Sequence, residues 1–154
     1  MSWAGSVRSY AAFGLAIPGF VKTRLTLEEA RARVKQRLHT REHRFLEVVE
    51  RCIYANPGSP YLPLLDVAGC ELGDIQALIK NDGLEPALGR LRDAGVYFTF
   101  EEFKGRQPVE RGKANFSISP GDFDNPAARR HYLQPTGGTT GTATKIWMNL
   151  DYSA

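Results

Sequence analysis

Ten residues near the end of the chain, Thr136-Gly137-Gly138-Thr139-Thr140-Gly141-Thr142-Ala143-Thr144-Lys145, comprise three glycines, five threonines, one alanine and one lysine. These are the ingredients of a phosphate cradle. Glycines let successive amides converge on an anion, threonine hydroxyls donate to its oxygens, and a lysine adds a point charge. The order is not that of a Walker loop, because the second glycine and its adjacent lysine do not fall at the required spacing. The flanking stretches His131–Gln134 and Thr144–Leu150 read as strands. The loop therefore joins two strands and gains nothing from a helix N-terminus.

Three other constellations invite a chemical reading, and each has a structural one. His39-Thr40-Arg41-Glu42-His43 matches H-x-x-E-H, the inverted zinc-protease pattern. At helical spacing both imidazoles lie roughly opposite the stripe of Leu27, Val34, Leu38 and Phe45, among Arg37, Arg41, Arg44 and Glu50. A solvated pair is expected there, and no metal site. Arg24, Arg31, Arg33, Lys35, Arg37, Arg41, Arg44 and Arg51 are spread around the same segment, interleaved with Glu28, Glu29, Glu42, Glu47 and Glu50. No aromatic stacking platform accompanies them, so a solvated face rather than a nucleic-acid surface is expected. Asp122 and Asp124, in Pro120-Gly121-Asp122-Phe123-Asp124-Asn125-Pro126, have the spacing of paired carboxylates but the context of turn caps, with Phe123 buried between them.

The elements that must carry these residues follow from capping and periodicity. Thr26-Leu27-Glu28-Glu29 is a capping box. Behind it Leu27, Ala30, Val34, Leu38, Phe45, Val48, Val49, Cys52 and Ile53 recur at helical spacing, predicting an amphipathic surface helix that ends near Tyr54, before Asn56-Pro57-Gly58. Ser59-Pro60 restarts the chain as a cap followed by proline in the first helical position, and Gly69 closes that piece. Further helices are expected over Asp74–Lys80 and Leu84–Ala94, the latter capped by Gly95. Thr99-Phe100-Glu101-Glu102 is a second capping box, for a short helix ending at Gly105. After Gly105 the character changes to turn signals, with a strand at Asn115–Ile118 and then the two strands around the glycine–threonine loop. The division this suggests is an apolar arm over 1–23, a helical subdomain over 24–105, and the opening of a sheet over 106–154.

The bulk properties set the class. A chain of 154 residues, 42% hydrophobic and 24% charged, is one ordinary folded domain and too apolar for disorder. The net charge of +3 suits anionic ligands without demanding them. Cys52 and Cys70 are too few for a disulfide framework, and each sits in an apolar stretch. They read as reduced, buried thiols of a cytoplasmic protein. No apolar run reaches the roughly 20 residues a membrane span needs. Arg8 followed by Tyr10 to Phe20 has the shape of a short signal sequence but no small-x-small cleavage site; it reads as an apolar arm packing on the first helices or on a further part of the protein.

The order of residues 136–145 carries a more specific message. It resembles the signature loop of adenylate-forming enzymes, [ST]-[SG]-G-[ST]-[TSE]-[GS]-x-[PALIVM]-x-K, the superfamily of acyl- and aryl-CoA ligases, firefly luciferase and peptide-synthetase adenylation domains. It departs from the commonest form in that Ala143 stands for proline and Thr144 intervenes before Lys145. Val96–Lys104 and Gly121–Pro126 resemble the corresponding flanks in the phenylacetate-CoA ligase and coenzyme F390 synthetase branch, so the likeness runs over residues 24–152.

The resemblance implies an α/β enzyme whose helical N-terminal subdomain precedes the first strands of the adenylation core, an α+β mixture within this stretch. It implies that a carboxylate attacks the α-phosphorus of ATP to give an acyl-adenylate and pyrophosphate, after which a thiol, usually coenzyme A, takes the acyl group. The phosphate-binding role falls by match on Thr136, Gly137, Gly138, Thr139, Thr140, Gly141 and Lys145, with Mg²⁺ as the cofactor of ATP. In that family the adenine-binding segment, the magnesium-binding acid, the ribose-binding aspartate and the catalytic lysine follow the loop. The expectation is accordingly an N-terminal part of a longer enzyme, inactive by itself, with the missing portion as its partner. The rival expectation is a stand-alone helical interaction module that retains the loop as a vestige.

Overall fold

A computed structural model describes residues 26–128, 132–135 and 145–148, together with residues 11, 14, 15, 17 and 18. The chain forms two compact units, one spanning 34–126 and one combining 1–33 with 127–154. Most described residues are helical, and the strands form two separate two-stranded antiparallel sheets, an α+β arrangement. No parallel strand pair occurs among the described residues.

The first capping box forms as its residues dictate: the Thr26 amide donates to Glu29 Oε2 at 2.8 Å and the Glu29 amide donates to Thr26 Oγ1 at 3.2 Å. It starts α1, Leu27–His39, which carries no buried residue. The helical path passes Thr40, whose amide bonds back to Gln36 O, into α2, Arg41–Val48. A π-helical segment, Val49–Tyr54, then completes the segment expected to end near Tyr54. The apolar stripe has two fates along this path. Leu27, Val34 and Leu38 stay exposed, whereas Phe45, Leu46, Val49 and Ile53 pack into a core.

That core is built by α2, the π segment, α3 (Leu62–Ala68), α4 (Leu72–Asp82) and α5 (Leu84–Asp93), around Val49, Leu65, Ile75, Ile79, Ala87 and Leu91. Two helix starts differ from the sequence reading. α3 begins after Tyr61 with Pro63 in its first turn, while Ser59 is buried and supplies only its carbonyl, to the Leu62 amide. α4 begins two residues before Asp74, because Glu71 and Asp74 form a capping box of their own. Neither thiol is fully buried: Cys52 and Cys70 are both half-exposed, free cysteines.

The second capping box starts α6, Phe100–Phe103, and Gly105 ends it. Gly105 has φ +68, and its N–H donates to Glu102 O while the Arg106 N–H reaches back to Glu101 O, the bonding of a left-handed helix stop. A Cβ at this position would also lie 2.8 Å from Ile118 O. The strand expected at Asn115–Ile118 is β2, Ala114–Phe116, and it pairs with β1, Val109–Arg111, in the register Val109↔Phe116. The Gly112-Lys113 loop between them has positive φ at the glycine alone, the pattern of a II′ hairpin turn. Val109 is completely buried against Leu64 and Ile118. The change of character at Gly105 thus falls inside one packed unit rather than at its edge.

Candidate functional site

In the other unit, β3 (Tyr132–Pro135) and β4 (Lys145–Met148) form an antiparallel hairpin. Its register pairs Tyr132 with Met148, Leu133 with Trp147, Gln134 with Ile146 and Pro135 with Lys145. Period-two alternation puts the half-buried Leu133 and Trp147 opposite one another, with the exposed Gln134 and Ile146 as the next pair. The last pair, Pro135 with Lys145, comprises the residues that flank the glycine–threonine stretch in sequence. Both strands lie where the sequence reading put them, within a residue or two. Thr136, Gly137, Gly138, Thr139, Thr140 and Gly141 lie outside the described residues. Lys145 is placed by its backbone as the first residue of β4.

The Asp122 carboxylate accepts from the Ser119 amide at 2.7 Å and caps a 3₁₀ turn, Pro120–Phe123. Phe123 is half-buried rather than buried, in edge-to-face contact with Tyr61 and Phe98 and tilted against Phe103. Asp124 follows the same turn. A cavity of about 170 Å³ beside it is lined by Cys52, Asn56, Tyr61, Asp122 and Asn125 among others. There the Cys52 thiol donates to Asn125 Oδ1 at 3.3 Å. Burial pushes the Tyr61 hydroxyl's pKa up, so it stays protonated and cannot serve as a base near neutral pH. The Cys70 thiol is likewise raised, by burial and by Asp74, the opposite of what a nucleophilic thiolate needs. The Tyr54 hydroxyl, donating to Cys70 O at 2.8 Å, is pushed up to about 12, chiefly by burial.

His43 is exposed and sits 3.5 Å from Glu47, one helical turn away. Among the described residues no group of three or more His, Cys, Asp and Glu side chains is placed to hold a metal ion.

The buried pair of Glu102 and Arg111 leaves no local sign in the sequence. Glu102, 4% exposed, closes the α6 capping box and takes two bonds from Arg111, Nη1 to Oε1 at 2.9 Å and Nη2 to Oε2 at 3.1 Å. Burial alone would raise the Glu102 pKa; the hydrogen bonds from the Thr99 amide, the Arg111 guanidinium and the Thr99 hydroxyl outweigh it and hold the carboxyl below its ordinary value. The guanidinium also lies over the Tyr97 ring, 4.4 Å from its centre. Its Nε is buried with no hydrogen-bond partner among the described residues. The pair pins the β1–β2 hairpin to α6.

Comparison with protein-family models, curated proteins and solved structures found no match for this chain.

Proposed function

We propose that residues 136–145 form the polyphosphate-gripping loop of an ATP-dependent carboxylate-activating enzyme, an acyl- or aryl-CoA ligase of the phenylacetate-CoA ligase type, acting in the cytoplasm. The observation that carries the reading is the residue order TGGTTGTATK. Its support is the frame around it: the residues that flank the stretch, Pro135 and Lys145, are the final pair of an antiparallel hairpin. Amides freed by Gly137, Gly138 and Gly141, and the hydroxyls of Thr136, Thr139 and Thr140, would face the β- and γ-phosphates, with Lys145 adding charge. Mg²⁺ supplies charge neutralisation on the same phosphates. In the complete reaction the carboxylate oxygen bonds to the α-phosphorus as pyrophosphate leaves. The thiol of coenzyme A then displaces AMP from the acyl carbon and loses its proton.

The test is calorimetric titration of the whole chain with Mg–ATP, with inorganic tripolyphosphate and with AMP. ATP and tripolyphosphate are expected to bind and to compete, AMP to bind far more weakly. Thr139→Ala combined with Thr140→Ala removes two bonds to charged oxygens and should weaken ATP at least tenfold, from roughly 1.5–3 kcal/mol per such bond. Absence of tripolyphosphate binding, or binding indifferent to the double substitution, would sink the proposal.

One observation favours a second reading, a helical interaction module. The unit 34–126 has two clusters of buried side chains formed by its own residues. Limited proteolysis yielding a stable 34–126 core, from a chain that ignores ATP and tripolyphosphate, would select that alternative.

A further inference from the structure

Helix α1, which runs across the boundary between the two units, carries an exposed apolar stripe. Leu27, Val34 and Leu38 are 66%, 58% and 60% exposed, and at 3.6 residues per turn they fall within about 40° of arc. On one side of the stripe stand Arg31 and Lys35; on the other stand Arg37 and Arg33. Of the two acids of this helix, Glu29 is on the far face with its carboxylate engaged in the Thr26 capping box, and Glu28 lies beyond Lys35.

The charge is segregated as well. Residues 22–41 hold seven Lys and Arg against two Glu, a net +5, whereas the whole chain carries +3, so everything else carries −2. A second observation points the same way. Upstream, residues 11, 14, 15, 17 and 18 have helical backbone, and Leu15 and Ile17 are 83% and 38% exposed, in the most apolar stretch of the sequence.

We propose that α1 is a peripheral docking face for an anionic lipid surface. The aliphatic stripe would enter the boundary between headgroups and acyl chains, and Arg31, Lys35 and Arg37 would extend to the lipid phosphates on either side. Long cationic side chains flanking exposed aliphatics suit an interface that is apolar at depth and anionic at its rim. A nucleic acid would reward the cations alone and leave Leu27, Val34 and Leu38 against phosphate and water. A second copy of the helix would bring the same excess of cations face to face. This is adherence and not insertion, since no helix among the described residues is long and apolar enough to cross a membrane. It is independent of the ATP-binding proposal.

Flotation of the whole chain with vesicles tests it, comparing pure phosphatidylcholine with a 7:3 mixture of phosphatidylcholine and phosphatidylserine, a ratio chosen at roughly the charge of an anionic leaflet. The bound fraction should be at least about tenfold greater on the anionic vesicles and fall as salt is raised. Val34→Asp with Leu38→Asp, both at exposed positions, should abolish flotation while circular dichroism stays native. Arg31→Glu with Lys35→Glu should lower it at least about tenfold, at about 1 kcal/mol per cation lost and more for reversal. Folded protein that does not float with anionic vesicles overturns the assignment. So does equal binding to neutral vesicles. Retention on a duplex DNA column undiminished by the double aspartate variant would give the face to nucleic acid instead.

Discussion

The chain writes the same four-residue sentence twice. Thr26-Leu27-Glu28-Glu29 and Thr99-Phe100-Glu101-Glu102 are both capping boxes, and both close with nearly the same bonds, 2.8 and 3.2 Å in the first against 2.7 and 3.3 Å in the second. Locally they are one device. Globally they differ: the first sits in water at the head of a helix with no buried residue, while Glu102 is 4% exposed and clamped by Arg111. A capping motif specifies where a helix begins. What that beginning contributes to the fold is decided by what lies over it, here a strand residue nine positions downstream.

The sharpest way to break this comparison is to delete the carboxylate of the buried box. Glu102→Ala leaves the Arg111 guanidinium without its counter-charge and frees the Thr99 amide at the N-cap of α6. Removing one partner of a buried pair costs about 3–5 kcal/mol, enough to lower the melting temperature by roughly 10 °C or more in a domain of this size. Thermal unfolding followed by circular dichroism measures it; a loss no larger than that of a surface substitution would show the pair to be ornamental. The sign with pH follows from the same bonds. Glu102 titrates lower in the folded state than in the unfolded chain, so its contribution is complete above about pH 4.5 and fades as pH falls through the folded value. The difference in stability between wild type and Glu102→Gln should therefore shrink on acidification below about pH 4.5.

The other end of α6 gives the next largest effect. At Gly105 an alanine would have to hold φ +68 and place its Cβ 2.8 Å from Ile118 O. The left-handed backbone alone costs about 1 kcal/mol or more, and the clash adds to it, for about 2–3 kcal/mol in all. Chemical denaturation checks this, and a neutral result would mean that the Gly105–Ile118 approach is not tight in solution.

These two sites also mark what the sequence discloses. The Thr99 box and the Gly105 stop are legible because their signals are local: a hydroxyl and a carboxylate three residues apart, then a glycine. The Glu71–Asp74 box is just as local but passes unnoticed, since it uses Glu where Ser or Thr is the usual sign and Asp where Glu is. β1 is three residues long with the pattern Val109-Glu110-Arg111, too short for alternation to register; its readable trace is the Gly112-Lys113 turn. The clamp of Arg111 on Glu102 is out of reach of any pattern, because it depends on where a hairpin folds back. For residues 136–145 the proposed phosphate-binding role rests on the order of residues, and the hairpin of β3 and β4 adds only the pairing of Pro135 with Lys145.

A smaller effect tests the two fates of the N-terminal stripe. Val49 and Val34 belong to the same helical run and the same apolar pattern, but one is 2% exposed and the other 58%. Val49→Ala should cost about 2 kcal/mol, from two lost methyl groups and the cavity behind them. Val34→Ala should stay within about 0.5 kcal/mol, since alanine favours the helix and no core is disturbed. Equal losses would mean that Val34 is covered in solution.

The smallest effect belongs to the exposed box, and it closes the comparison. The Thr26 amide and hydroxyl hold the Glu29 carboxyl below its ordinary pKa, with Arg33 adding to the shift. Because the folded-state value is the lower one, acid removes this contribution just as it does at Glu102. Here, however, the helix end lies in solvent, and losing the cap lets water take over the orphan amides. Glu29→Gln should therefore accelerate amide hydrogen exchange over the first turn of α1, at Glu28 to Arg31, and leave the melting temperature unchanged. A fall in melting temperature approaching that of Glu102→Ala would make the two boxes equals. The lesson drawn from their difference in burial would then be lost.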